Sequence, residues 1–175
     1  MESLEKHNQI HNDIKPQNYL VKFPKKSTNL TEIEIVLTDF GLAGFDSKGG
    51  TPIFASPESL ANRKRKTILS DVFSLGRVFL FLLFQKEKFL EFLYVSLNKE
   101  GKDEIMKLIE QEPILNLIWN MMRVTNRIGV SEIRTMLKTI FVMKNYKTEI
   151  KMSKVVEEST SIYTKQYLND LRHFS

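Results

Sequence analysis

His11-Asn12-Asp13-Ile14-Lys15-Pro16-Gln17-Asn18 sets an acid, a lysine and an amide within one short segment. The β-type run Tyr19-Leu20-Val21 follows at once, so the segment reads as a loop leading into a strand. Asp13 can accept a hydroxyl proton, Lys15 can hold a phosphate oxygen, and Asn18 can offer a hard carbonyl oxygen to Mg²⁺. Further on, Ile33-Glu34-Ile35-Val36-Leu37-Thr38 reads as a second strand that ends in Asp39-Phe40-Gly41. Asp39 supplies a second hard ligand, and Gly41 lets the chain turn behind it. Two oxygen donors and one base in adjacent loops suit metal-assisted phosphoryl transfer.

Around these loops the first 60 residues read as strand and loop, with Pro24 to Asn29 as a hairpin insert and Gly41 to Gly50 as a glycine-punctuated loop. The remainder reads as helical. Ser70-Asp71 is the expected N-cap of an almost wholly apolar helix, Val72 to Phe84, destined for the middle of a core. Separate helices are expected at about Lys88 to Leu97, Lys102 to Glu110, Ile114 to Arg123 and Val130 to Met143. The fold class expected is therefore mainly α with a few short β-strands. Residues 1–144 form the domain and 145–175 a tail, either a peripheral helix or a mobile extension.

At 175 residues, 42% hydrophobic and 27% charged, the chain has the composition of one soluble globular domain. Without cysteine it has no disulfide framework, thiolate zinc site or cysteine nucleophile, which suits an intracellular, cytoplasmic or nuclear setting. The longest apolar stretch covers 13 positions, too short to span a bilayer. A net charge of +5 spread along the chain makes nucleic acid an unlikely partner, and Arg63-Lys64-Arg65-Lys66 reads as a solvated loop face.

In these motifs the sequence resembles the eukaryotic protein kinase family, serine/threonine type. The catalytic-loop pattern His-Arg-Asp-x-Lys-Pro-x-Asn matches except that Asn12 replaces arginine, and Asp39-Phe40-Gly41 is intact. Five matching fixed residues, at roughly 1 in 20 each, arise by accident in well under roughly one in a thousand chains of this length. Gly50-Thr51-Pro52-Ile53-Phe54-Ala55-Ser56-Pro57-Glu58 is similar to the end of an activation segment, with Phe54 and Ser56 as substitutions. Ser70 to Gly76 is similar to the start of the central helix of the large lobe, and Arg127 stands at the family's late arginine position.

The resemblance implies that Asp13 orients the substrate hydroxyl, with Lys15 beside it, while Asn18 and Asp39 hold Mg²⁺ and contact ATP. It implies Leu20 as the floor under the adenine. His11 and Phe40 stack in a spine anchored by Asp71, whose carboxylate accepts catalytic-loop N–H groups. Thr51 hydrogen-bonds Asp13 and Lys15, and Glu58 and Arg127 form a buried ion pair. The implied reaction is ATP-dependent phosphoryl transfer to serine or threonine hydroxyls of a protein substrate.

None of the seven glycines forms G-x-G-x-x-G, and no Val-Ala-Ile-Lys strand occurs. The expectation is thus a kinase C-terminal (large) lobe with the small lobe absent, either a truncated product or a piece of a longer protein. The exposed apolar face around Leu20 is then covered by that lobe or by a partner. A catalytically silent kinase-like interaction module is the alternative. Asn12 carries no charge for a phosphate to neutralise, and Ser47 is the one hydroxyl from Leu42 to Gly49, so control by activation-loop phosphorylation is not expected.

Overall fold

The computed structural model describes residues 1–23, 33–44, 50–61, 66–97 and 102–142. These are mostly helical, with one two-stranded sheet. In chain order they form α1 (Glu2–Lys6), β1 (Tyr19–Lys22), β2 (Glu34–Leu37), α2 (Pro57–Leu60), α3 (Ile68–Leu97), α4 (Lys102–Gln111), α5 (Pro113–Met121) and α6 (Val130–Val142). Single 3-10 turns at Pro16–Asn18 and Phe40–Leu42 lie beside the strands. The Pro24–Asn29 insert, Ser47, Arg63 to Arg65 and the 145–175 tail lie outside the described residues.

Two compact units divide the chain: Met1–Val78 with Asn120–Arg134, and Phe79–Trp119 with Thr135 onward. The first unit has Ile10, Ile14, Val72 and Met121 at its centre, each no more than 1% exposed. In the second, Leu80, Phe89, Leu117 and Ile118 are equally buried. The rings of Phe84 and Phe92 stack there at 5.4 Å, and Phe81 meets Phe89 edge-on at 5.6 Å.

The strands pair antiparallel with Tyr19 opposite Leu37, Leu20 opposite Val36, Val21 opposite Ile35 and Lys22 opposite Glu34. Successive strand residues point to opposite faces. Leu20, Val21, Ile35 and Val36 are each 41–64% exposed, so both faces of this ribbon present apolar side chains.

Five expectations are corrected. Helix α3 begins at Ile68, before the expected Ser70-Asp71 cap, because Thr67 caps it: its hydroxyl accepts the Leu69 N–H at 3.2 Å, while the Ser70 hydroxyl accepts the Thr67 N–H at 3.4 Å. The two helices expected at 72–84 and 88–97 are one 30-residue helix, since Gln85 to Lys88 holds no glycine or proline and consists of good helix formers. Nor is the 72–84 stretch buried all round, for Leu82 is 65% exposed. Lys66, expected on a solvated face, is only 5% exposed. Helix α5 starts one residue earlier than expected, on Pro113, a residue suited to a first helical position because its missing N–H has no intrahelical partner to lose.

Candidate active site

The site is built on the N-terminal end of α3. Asp71, in its first turn and 1% exposed, accepts the His11 N–H at 2.6 Å and the Asn12 N–H at 2.8 Å, one on each carboxylate oxygen. Burial pushes the Asp71 carboxyl up from its ordinary value despite both bonds. It also works with the Asp71 charge to push the Tyr19 hydroxyl, at the start of β1, up to about 12. Asn12 takes φ 69°, a left-handed conformation that asparagine tolerates, and turns the chain just ahead of Asp13.

His11 couples this loop to the second one. Its Nδ1 accepts the Asp13 N–H at 3.3 Å, which leaves Nε2 as the donor to the Thr38 carbonyl at 2.9 Å and makes the ring a neutral tautomer. The Phe40 ring meets it edge-on, 4.7 Å between centres. Thr38 in turn donates its N–H (2.8 Å) and hydroxyl (3.1 Å) to the Asn18 carbonyl. Asp39, next in the chain, is left-handed at φ 62°, and its carboxylate accepts the Gly41 N–H at 3.3 Å to cap the following 3-10 turn.

Asp13 lies at the convergence, 7% exposed. One oxygen meets Lys15 Nζ at 2.6 Å; the other accepts both the N–H (2.9 Å) and the hydroxyl (3.0 Å) of Thr51. Asn18 Nδ2 donates to the Asp13 carbonyl at 2.8 Å and to its carboxylate at 3.3 Å. Burial alone would raise this carboxyl, but the bonds from Lys15 and Thr51 and the lysine charge outweigh it and hold the group below the usual value of 3.8. Asp13 is therefore ionised at neutral pH and suited to orient a hydroxyl.

The resemblance implied a Thr51 bond to Lys15; among the described residues it is absent, because Thr51 and Lys15 occupy different oxygens of the same carboxylate. Gly50 brings Thr51 into reach: at φ 109°, a Cβ there would sit 2.8 Å from the Asn12 carbonyl oxygen, so only glycine fits. Beyond Thr51, Ser56 caps α2 by accepting the Ser59 N–H. Glu58 then meets Arg127 at 2.7 and 3.3 Å and accepts the Ser70 hydroxyl at 2.9 Å. Burial would raise Glu58, but Arg127, ahead of Ser70, holds it below its usual value.

The geometry thus joins His11, Asp13, Lys15, Asn18, Thr51 and Asp71 by direct hydrogen bonds or ion pairs, adds Phe40 by ring contact, and ties Asp39 and Gly41 in through Thr38. Leu20 is not joined to this network; it stands 60% exposed on β1. Sequence reasoning missed Thr38, whose N–H and hydroxyl both act on a main-chain carbonyl 20 positions away, and Ser70 as a partner of Glu58. It also missed Arg77, the one charge in the apolar run of α3, which donates to the Ile53 carbonyl at 2.6 Å.

Asn18 and Asp39 fit a hard divalent cation by donor chemistry. Asn18 commits its amide nitrogen to Asp13, leaving its side-chain oxygen as the ligand end, and Thr38 fixes the carboxylate-bearing residue alongside.

The protein kinase domain family matches residues 1–159, and the chain belongs to that family. A Dictyostelium discoideum protein described as a "probable serine/threonine-protein kinase" is 39% identical over 89 residues, covering 43% of this chain and 12% of that relative. The chain thus spans about an eighth of the length of this relative. No described helix is long and apolar enough to cross a membrane.

Proposed function

We propose that the chain carries the catalytic large lobe of a serine/threonine protein kinase, transferring the γ-phosphoryl group of ATP to hydroxyls of a protein substrate. The observation that carries this reading is the Asp13 carboxylate, kept ionised and oriented by Lys15, Thr51 and Asn18 in a loop tied to Asp39. Asp13 holds the substrate hydroxyl and receives its proton as transfer proceeds. Lys15, already 2.6 Å from Asp13, offers its remaining donors to a phosphoryl oxygen. Asn18 and Asp39 would hold Mg²⁺, which would supply positive charge to offset that of the phosphoryl group. The relative's name supports serine/threonine specificity.

A catalytically silent interaction module is the second reading, favoured by the apolar side chains exposed on both faces of the β1–β2 ribbon. The experiment that separates them is transfer of label from γ-labelled Mg-ATP to mixed serine and threonine peptides. The isolated lobe is expected to transfer little; in the whole protein that carries it, the first reading expects incorporation and a loss of at least ~100-fold in Asp13→Asn, the size of effect usual for a positioned acid or base. A whole protein that is folded but transfers no label overturns it in favour of the second.

A further inference from the structure

Arg77 is the only charged residue from Val72 to Phe84, and its side chain spans from α3 to the segment that reaches Asp13. Its Nη1 donates to the Ile53 carbonyl, and its guanidinium carbon lies 4.8 Å from the centre of the Phe73 ring. Phe73 stands four residues earlier on α3, where side chains share one helix face, and is 4% exposed. The guanidinium of Arg127 lies 4.9 Å from the same ring. One buried aromatic thus seats two cations, and each reaches the same stretch of chain: Arg127 at Glu58, Arg77 at Ile53.

What Ile53 belongs to gives the contact its meaning. The Thr51 carbonyl accepts the N–H groups of Phe54 (2.9 Å) and Ala55 (3.0 Å), closing a tight turn with Ile53 inside it. At the start of that turn are the two Thr51 donors on Asp13. A planar guanidinium can lie against a ring and still donate along its edge, so the stack pre-aims the hydrogen bond; a lysine ammonium is a point charge without that geometry. We propose that Arg77 is a positioning residue for phosphoryl transfer, fixing the Thr51–Ala55 turn through the Ile53 carbonyl and so keeping Thr51 on Asp13. This rests on the kinase reading for its kinetic consequence, though not for its structural one.

The test uses the full chain with Arg77→Met and Arg77→Lys, each studied well below its own unfolding temperature. Amide hydrogen exchange is expected to rise at least tenfold at Thr51, Phe54 and Ala55 in Arg77→Met. The His11 and Asn12 amides, held by Asp71, should change less than twofold, and Arg77→Lys should fall between. Per folded molecule, kcat should drop at least tenfold with KM for Mg-ATP within twofold. In a Thr51→Val background, Arg77→Met should add no further loss, because coupled residues are non-additive. Exchange that accelerates equally at His11 and Asn12 would mean general loosening and overturn the proposal, as would a locally loosened turn with unchanged kcat. The rate comparison is made in the whole protein that carries this lobe; if that protein transfers no phosphate, the kinase reading fails, while the exchange pattern in the chain still decides whether Arg77 holds the turn.

Discussion

Replacing Arg127 with methionine tests how the segment ending at Glu58 is secured. Methionine keeps an unbranched apolar stem and removes the charge, so packing against Phe73 is largely retained. What is lost is the pair to Glu58 and the bonds from Arg127 to the Leu69 carbonyl (2.6 Å) and the Arg123 carbonyl (2.7 Å). Removing one partner from a buried pair costs about 3–5 kcal/mol, chiefly because the remaining charge is stranded. The Arg127 side chain is 4% exposed but that of Glu58 is 23%, and the Ser70 hydroxyl stays on the carboxylate, which places the loss near about 3 kcal/mol. For a chain of this size that is a fall in Tm of about 6–12 °C.

The pH dependence has a definite sign. In the wild type the folded value for Glu58 lies below 4.5, so its contribution is complete above about pH 4.5 and disappears as pH falls through the lower folded value. In Arg127→Met the hydrogen bonds and charge of Arg127 go while burial, the main-chain bond and the Ser70 bond remain, so the folded value rises from its wild-type level and the destabilisation shrinks as acid protonates the stranded carboxylate. Urea unfolding at pH 7 and pH 4 should therefore show a gap that narrows in acid, and Glu58→Gln combined with Arg127→Met should recover more than half of the loss. A gap under about 1 kcal/mol at pH 7, or one as wide at pH 4, refutes the reasoning.

Gly50→Ala should lose about 2–3 kcal/mol in thermal unfolding, because it combines a positive φ with a Cβ 2.8 Å from a main-chain oxygen; a change below about 0.5 kcal/mol would contradict the close approach. In Asp71→Asn, one of the two buried N–H groups of His11 and Asn12 must face an amide NH₂ in place of an oxygen. The expected loss is about 2–4 kcal/mol, with the slow exchange of those two amides accelerated at least tenfold, and unaltered exchange would show that the loop is held by something else.

The loops of the candidate site were legible because the proposed phosphoryl transfer needs particular residue types at short spacing, and Asp13, Lys15, Asn18 and Asp39 are all local words of that kind. The class of fold was legible too, since the long periodic apolar runs from Ile68 onward favour helix whatever they pack against, despite Gly76 inside α3. Other features were beyond local reading. The single helix α3 depends on a Thr67–Ser70 cap and on the absence of any break between 84 and 88, where a polar stretch suggested an interruption. Thr38 acts through its N–H, its carbonyl and a hydroxyl whose acceptor, the Asn18 carbonyl, lies 20 positions away. Arg77 and Ile53 lie 24 positions apart, Arg127 and Glu58 69 apart. Sequence by itself therefore determined which groups are present and which local conformations they prefer. Only the tertiary structure decided which oxygen of Asp13 meets Lys15 and which meets Thr51, because hydrogen bonds act over about 3 Å and such distances across the chain exist only once the core has closed.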